Sequence, residues 1–184
     1  NPHLKQDKNS LINKKICDVG FGDGRDLNLF SDLGMSVFGV EPDAQVVEHT
    51  RNKMLKAGAN VSVKVGTNIA TGYPNNFFDY VYAAGSIYYL PSENYKITHA
   101  FTEMQRILAK DGKFLATFAR SDSHVTHGAQ EIDKNTLILR DPYYNFRAGQ
   151  RYHVYNNKEE IRQDLDSCGF KLLYIGDYDV DWFG

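Results

Sequence analysis

The sequence has only two cysteines, Cys17 and Cys168, among its 184 residues. Two cysteines so far apart match neither the density of a disulfide-bonded secreted domain nor the ligand spacing of a zinc site. Because free cysteine behaves as a small buried apolar residue, we expect both to be packing residues. We also expect no bound metal.

An excess of charge of one sign is also absent. The chain has 21 Lys and Arg against 23 Asp and Glu, a net charge of -2, with no long run of either sign. A basic footprint for nucleic acid or for an anionic membrane is therefore missing, and neither partner is expected.

Long apolar runs are absent as well. No stretch reaches the ~18 consecutive apolar residues of a membrane span. The polar start NPHLKQDKNS has neither the apolar core of a signal peptide nor a basic amphipathic presequence. We therefore expect a cytoplasmic protein. The length predicts a single domain over residues 1–184, although a start at Asn1 rather than Met is consistent with a trimmed or partial chain.

Short apolar runs alternate with segments of helical periodicity. Strands are predicted at KKICDVG, MSVFGVE, VSVKVG, FFDYVYAAG, KFLATFA and KLLYIGDYDV. Helices are predicted at RDLNLFSDLG, DAQVVEHTRNKMLKAG, from about Glu93 to Leu108, and at KEEIRQDLDSCG. We expect Asp43 to cap the second helix, Gly58 to end it, and Asp111-Gly112 to form a turn before the fifth strand.

This alternation predicts an α/β fold, a mostly parallel sheet with helices on both faces, because each parallel connection needs a crossover. Ligands in such sheets bind beyond the carboxyl ends of the strands. Residues 120–155 are rich in Tyr, Asn, Asp and His and show no regular pattern. We expect them to form a long functional loop over that edge.

Three glycines follow the first strand in CDVGFGDGRD, at positions 20, 22 and 24. Glycines between a strand and a helix let backbone N–H groups approach a ligand, and the helix N-terminus favours a carboxylate or phosphate. Asp18 is placed to accept hydrogen bonds from loop amides or to face a ligand ammonium. A tight connection without a ligand is the alternative for an isolated glycine pair.

Glu41 ends the second strand, 21 positions after Gly20. This is close to the offset of about 20 residues at which an acidic residue meets the ribose hydroxyls in dinucleotide-binding folds. Together the glycine turn and Glu41 indicate a nucleoside ligand.

The pattern D-x-G-x-G-x-G resembles motif I of the class I S-adenosylmethionine-dependent methyltransferases. GVEPD, FFDYVYAAGSIYYL and EMQRILAKDGKFLATF resemble, in order, the acidic loop, the fourth strand, and the fifth strand with its preceding helix. The small-molecule, type 11/12-like members are the most similar. The resemblance implies a three-layer, Rossmann-like sandwich with S-adenosylmethionine as cofactor and S-adenosylhomocysteine as product. The final antiparallel strand of that fold is expected either to be missing or to lie beyond the given sequence.

The resemblance also implies the roles of cofactor-binding residues. Backbone groups of Gly20, Gly22 and Gly24 would contact the methionyl part, with support from Asp18. Glu41 would bind the ribose hydroxyls and Pro42 would pack on the adenine. An Asp often meets the adenine amino group after the third strand; here Thr67 occupies that place, and the amide oxygen of the adjacent Asn68 is an alternative acceptor. Ala84 would make a backbone contact near the methionyl group.

The acceptor side is less defined. Tyr88, Arg147 and Tyr152 are predicted to face the substrate, an aromatic cover over the sheet edge being the alternative. His124, His127 and His153 are candidate bases in the long segment, but nothing in the sequence orients them, and no catalytic residue is assigned.

The sequence therefore predicts an S-adenosylmethionine-dependent methyltransferase acting on an O or N atom of a small-molecule metabolite. The alternatives are an RNA- or protein-directed methyltransferase and a domain that binds the cofactor without catalysis. The identity of the acceptor and the oligomeric state are left open.

Overall fold

The computed structural model of the chain describes residues 8–140 and 147–178. Its strands are β1 Lys15–Val19, β2 Ser36–Glu41, β3 Val61–Val65, β4 Phe78–Ala83, β5 Tyr89–Leu90, β6 Leu108–Ala116, β7 Gln130–Asp133, β8 Thr136–Ile138 and β9 Arg151–His153. Its α-helices are α1 Arg25–Asp32, α2 Ala44–Lys56, α3 Ile97–Ile107 and α4 Lys158–Ser167, with short 3-10 turns at Lys8–Leu11 and His124–Thr126.

Five strands form a parallel sheet in the order β3-β2-β1-β4-β6. The strand order reverses next to β1, because β2 leaves to one side of it and β4 to the other. Ligands bind at such a reversal, beyond the carboxyl ends of the strands. The glycine turn that follows β1 therefore lies where a cofactor is expected.

The two faces of the sheet carry different helices. On one face, Leu27 and Phe30 of α1 and Val47 and Met54 of α2 form a buried cluster with side chains of β1 to β3, such as Val37. On the other face, a larger cluster of α3, α4 and β4 side chains is buried. Helices on both faces make the predicted three-layer, Rossmann-like α/β fold, which is confirmed.

The helix termini follow the local sequence. The Asp43 carboxylate accepts hydrogen bonds from the N–H groups of Gln45 at 2.7 Å and Val46 at 3.3 Å, so it caps α2 as predicted. Gly58 follows the end of α2 with a φ of +71°, a conformation that favours glycine. Both boundaries were predictable because they depend on residues that are close in sequence.

The predicted turn at Asp111-Gly112 lies inside β6 as an irregularity of its pairing with β4. The register shifts between Phe78, which pairs with Leu108, and Tyr80, which pairs with Lys113. A Cβ on Gly112 would lie 2.9 Å from the Ala109 carbonyl oxygen and 3.1 Å from that of Phe78, so a larger residue would force the backbone of this irregularity to shift. The helix predicted from about Glu93 begins later, at Ile97.

A second, antiparallel sheet has the order β5-β9-β8-β7. The expectation of an irregular segment over residues 120–155 is therefore wrong in part, because three of its short stretches form strands. Tyr155 ties this sheet to the main one, since its N–H donates to the Ala119 carbonyl just after β6 at 3.1 Å. The second sheet thus stands at the carboxyl edge of the parallel sheet.

The last predicted strand, KLLYIGDYDV, is not confirmed. Residues 171–178 form no strand, and residues 179–180 lie outside the described part of the chain. Leu172 and Ile175 pack against the core beside α3 and α4, whereas Leu173 and Tyr174 are exposed. Two apolar residues three positions apart therefore pack on the core without residues 171–178 forming a strand.

Both cysteines are free thiols. Cys17 is fully buried in β1, and Cys168 is partly buried at the end of α4 against the α3 side of the core. Both are packing residues, as expected.

Candidate cofactor site

Gly20 begins the turn after β1 and fixes its direction. Its N–H donates to the Val40 carbonyl at 2.8 Å, which extends the pairing with β2 by one residue. Its φ is +76°, and a Cβ there would lie 2.4 Å from the Ser86 Cβ. The Ser86 hydroxyl in turn donates to the Val19 carbonyl. Gly20 is therefore required both by the backbone conformation and by the close approach of the segment after β4.

Gly22 joins the turn to Glu41. Its N–H donates to the Glu41 carboxylate at 3.2 Å, and its carbonyl accepts a hydrogen bond from the buried Thr50 hydroxyl at 3.0 Å. A Cβ on Gly22 would have no atom within 4 Å. The two sequence features that predicted a nucleoside site are thus in direct contact, and the outer side of the turn is open.

Gly24 ends the turn and precedes α1. Its φ is +76°, and a Cβ there would lie 2.6 Å from the Thr50 Cγ2 and 3.1 Å from the Met54 Cε of α2. Its small size lets α1 start against α2. The amino end of α1, with the partial positive charge of a helix N-terminus, therefore begins directly after the glycine turn.

Asp18 lies in β1 beneath this turn and is 3% exposed. Its carboxyl accepts no hydrogen bond from any residue in the described part of the chain. Burial, and then the nearby charges of Asp26 and Glu41, raise its pKa to about 8. A buried carboxyl without a donor fits a ligand that brings an ammonium group, as the methionyl part of S-adenosylmethionine does.

The Glu41 carboxylate is half-buried at the end of β2. Burial raises its pKa from the ordinary value, while hydrogen bonds from the backbone N–H groups of Gly22 and Asp43 lower it in part. A carboxylate held in this way has acceptor capacity left for a pair of hydroxyls. Pro42, predicted to pack on the adenine, is exposed beside it.

The loop after β3 forms the next wall. The N–H of Gly66 donates to the Glu41 carbonyl at 3.1 Å, and Thr67 and Ala70 exchange backbone hydrogen bonds of 3.1 and 3.3 Å. The Asn68 side-chain nitrogen donates to the carbonyls of Ile87 at 3.1 Å and Tyr89 at 3.0 Å. Thr67 and Asn68 are therefore beside the Glu41 strand end, where the adenine contact is predicted.

Ala84 follows β4 directly and is partly exposed, adjacent in sequence to the Gly85 N–H, which donates to the Thr117 hydroxyl at 2.8 Å. The glycine turn, Glu41, the β3 loop and the β4 exit all lie at one edge of the sheet. The predicted cofactor residues are thus brought to one place.

The predicted substrate residues form an aromatic cluster on the second sheet. The rings of Tyr88 and Tyr152 meet edge to face with centroids 4.8 Å apart, and Tyr89 lies 4.5 Å from Tyr152. The Tyr152 hydroxyl donates to the Tyr89 hydroxyl at 2.7 Å. Tyr152 is only 2% exposed, so it supports Tyr89 rather than offering a surface itself. Burial lowers the pKa of the Arg147 guanidinium, but the three tyrosines outweigh it and raise that pKa above its ordinary value.

The three candidate histidines lie in different surroundings. His124 and His127 are exposed at a 3-10 turn. His153 of β9 packs edge to face on Tyr155 at 4.5 Å, and burial lowers its pKa. None of the three contacts the glycine turn in the described part of the chain, and no catalytic base is assigned. Asp141 to Phe146 of the aromatic segment lie outside the described residues.

Several residues of the site were not predicted. Thr50 and Ser86 hold the glycine turn, yet neither belongs to a local motif. Glu103 of α3 forms a two-point ion pair with Arg106, with both N–O distances 2.7 Å, and accepts the Thr71 N–H at 2.8 Å. It thereby anchors the chain that follows the β3 loop. The Glu-x-x-Arg spacing on a helix was the one local sign of this pair.

One further cleft lies outside the predicted cofactor site. A cleft of about 620 Å³ between the 3-10 turn and the β7–β8 hairpin contains none of the predicted cofactor residues. Within residues 8–140 and 147–178, no helix is long and apolar enough to cross a membrane, and no three metal-ligating side chains cluster.

The methyltransferase domain family model matches residues 16–112, which is more than half of the chain. Among curated proteins, no sequence matches. Many solved structures do match.

Three solved structures represent the similarity. An S-adenosylmethionine-dependent methyltransferase from Mesorhizobium loti is 15% identical with a TM-score of 0.71, covering 91% of this chain and 79% of its own. The PH0226 protein from Pyrococcus horikoshii OT3 is 21% identical with a TM-score of 0.69, covering 90% and 74%. A putative methyltransferase in complex with the Haloferax volcanii Trm112 activator is 19% identical with a TM-score of 0.67, covering 92% and 68%.

At such identities these structures show the shared fold. Several other matched structures are longer, and this chain spans 41%, 50% and 53% of them. The family model is matched over β1 to the Asp111-Gly112 irregularity, the part that holds the glycine turn and Glu41. The chain therefore belongs to the class I S-adenosylmethionine-dependent methyltransferase family, and its cofactor is S-adenosylmethionine.

Proposed function

We propose that the chain transfers a methyl group from S-adenosylmethionine to an oxygen or nitrogen atom of a small-molecule acceptor. The observation that carries this proposal is the second sheet. It stands at the carboxyl edge of the parallel sheet and presents the partly exposed Tyr88 and Tyr89 a few residues after Ser86, which contacts the glycine turn. An aromatic wall beside the cofactor site suits a small organic acceptor.

The individual cofactor contacts are part of the proposal. Gly22 and the start of α1 would receive the methionyl carboxylate, and Asp18 the ammonium. Glu41 would exchange its hydrogen bond with the Gly22 N–H for the ribose hydroxyls. Gly20, Gly24 and Ala84 would shape this surface. Pro42 with Thr67 or Asn68 would enclose the adenine.

When bound, S-adenosylmethionine supplies a methyl group on a sulfonium, from which a neutral thioether leaves. The protein therefore needs no acid for the leaving group, and positioning the acceptor can supply much of the rate. Tyr89, whose hydroxyl accepts a hydrogen bond from Tyr152, would orient the acceptor. Arg147 beside it would favour an acceptor that carries a negative charge.

Two alternatives stay open to test. The similar putative methyltransferase is bound to the Haloferax volcanii Trm112 activator, so a protein partner and a macromolecular acceptor are the second candidate. The net charge of -2 favours a small molecule over nucleic acid. A domain that binds the cofactor without turnover is the third candidate.

A single domain over residues 1–184 and a cytoplasmic location are retained as proposals.

Incubation with methyl-labelled S-adenosylmethionine tests the proposal. The chain is mixed separately with a protein-free metabolite extract, with total RNA and with a protein fraction, and label transfer is counted. We expect transfer to the metabolite extract, and none by a Glu41→Ala variant. Transfer to RNA or protein alone would support the second candidate, and calorimetric binding of S-adenosylhomocysteine without any transfer the third.

A further inference from the structure

The amide group of Asn68 lies between the two halves of the site. Its loop is tied to the ribose-binding side, because the neighbouring Gly66 N–H donates to the Glu41 carbonyl at 3.1 Å. Its side chain reaches in the other direction, to the segment 86–90 that follows β4. We call this segment the acceptor wall, since it contains Ser86, which contacts Gly20, and the two tyrosines of β5 and its approach.

The orientation of this amide is fixed by its partners. Both partners are carbonyl oxygens, those of Ile87 and Tyr89, so only the NH₂ group can face them. Tyr89 opens β5, an edge strand of the second sheet. Asn68 thus satisfies a carbonyl on an edge that has no neighbouring strand in the described part of the chain.

The amide oxygen is consequently turned away from the acceptor wall. It accepts no hydrogen bond from any described residue. An acceptor in the loop after β3 is what the amino group of an adenine needs. One side chain therefore offers its oxygen to the cofactor while its nitrogen holds the acceptor wall.

We propose that Asn68 is a positioning residue that couples cofactor binding to the order of the acceptor wall. This inference rests on the proposed adenine contact. A cofactor that fixes the Asn68 oxygen also fixes its nitrogen, so residues 86–90 become more rigid when the cofactor is bound. The acceptor would then bind preferentially to the cofactor-loaded protein.

Replacement by aspartate separates the two roles. Asn68→Asp keeps an oxygen for the adenine but replaces the donor with a second oxygen that faces two carbonyls. Asn68→Ala removes both roles. Asn60→Asp, at an exposed position just before β3, is the matched control for the change of charge.

Hydrogen–deuterium exchange of the peptide covering residues 86–90 gives the readout, with and without S-adenosylhomocysteine. Loss of two neutral hydrogen bonds should speed its exchange about 10-fold in ligand-free Asn68→Asp and Asn68→Ala. Calorimetry should show S-adenosylhomocysteine affinity within about 3-fold of wild type for Asn68→Asp and reduced about 5-fold for Asn68→Ala. Wild type and Asn60→Asp should gain protection at 86–90 on binding, and Asn68→Asp should not.

If residues 86–90 of ligand-free Asn68→Asp exchange at the same rate as in the wild type, the Asn68 hydrogen bonds to Ile87 and Tyr89 do not hold the acceptor wall, and this part of the proposal is overturned. Equal gains of protection on S-adenosylhomocysteine binding in wild type and Asn68→Asp would overturn the coupling. Failure of the wild-type chain to bind S-adenosylhomocysteine would instead reject the proposed function together with the coupling. The comparison of ligand-free wild type with ligand-free Asn68→Asp would still show whether Asn68 holds residues 86–90.

Discussion

The glycine turn allows stability and cofactor binding to be separated by two alanine substitutions. Gly20 and Gly22 both have positive φ, +76° and +51°, so an alanine at either costs about 1 kcal/mol in backbone conformation. They differ in the space around a new Cβ. At Gly20 that atom would lie 2.4 Å from the Ser86 Cβ, whereas at Gly22 no atom lies within 4 Å.

The expected destabilisation follows from this difference. The contact at Gly20 involves a carbon next to the backbone rather than the end of a flexible side chain, so backbone must move. Such overpacking adds about 2 kcal/mol. Gly20→Ala should therefore lower the free energy of unfolding by about 3 kcal/mol and Gly22→Ala by about 1 kcal/mol.

Cofactor binding should be weakened more by Gly22→Ala than by Gly20→Ala, the reverse of their order in destabilisation. The open side of Gly22 is where the methionyl part is proposed to lie, so a methyl group there should weaken S-adenosylhomocysteine binding at least about 10-fold, or 1.4 kcal/mol. Urea denaturation and calorimetry on both variants provide the test. Equal destabilisation by the two alanines would refute the steric argument, and unchanged affinity of Gly22→Ala would refute the placement of the ligand.

Three further predictions concern carboxyl groups. Glu103→Gln should lower the free energy of unfolding, measured in urea, by about 2 kcal/mol, because it breaks a buried ion pair whose partner Arg106 is still partly exposed to solvent. Glu48→Gln, which removes a solvent-exposed ion pair, should change it by less than about 0.5 kcal/mol. Because the pKa of Asp18 is raised to about 8, the folded chain keeps a proton on Asp18 at pH values where the unfolded chain has released it. The free energy of unfolding should therefore fall as pH rises from about 4 to about 8, by up to about 1.4 kcal/mol per pH unit. Asp18→Asn should remove this pH dependence in denaturation curves. The ion pair with Lys134, together with hydrogen bonds from Asn135 and Asn156, lowers the pKa of Glu160 to about 2. The contribution of Glu160 to stability is therefore present above about pH 4.5 and lost as pH falls toward 2, and Glu160→Gln should flatten the acid limb of the same denaturation curves.

The cofactor half of the fold was predictable because its determinants are local. The cap at Asp43 involves residues two and three positions away, and the glycine turn needs only the conformation of three glycines. The contact between Gly22 and Glu41 spans one strand–helix–strand unit, whose right-handed crossover is nearly invariant. The residues of the sequence motif are therefore brought together by one strand–helix–strand unit, and no contact between distant parts of the sequence had to be predicted.

The second sheet was not predictable for the opposite reason. β5 has two residues and β9 has three, too few to show an alternating pattern. Their pairing joins Tyr89 to Tyr152, 63 positions apart. The strand predicted over residues 171–180 was wrong over residues 171–178 for a related reason. Its apolar residues indicated burial, and packing beside α3 and α4 supplies that burial without a strand.

This contrast bears on how the acceptor is determined. Ser86 reaches the glycine turn, Asn68 reaches Ile87 and Tyr89, and Tyr152 reaches Tyr89. Each contact is made by a side chain to a segment far away in sequence, and together they place residues 86–90 between the cofactor loops and the second sheet. Because these few hydrogen bonds set the position of the acceptor wall, a change in the second sheet can alter the acceptor without disturbing the glycine turn. Acceptor specificity should therefore be carried by the second sheet and the residues that hold β5, while the glycine turn and Glu41 would supply only the proposed cofactor contacts.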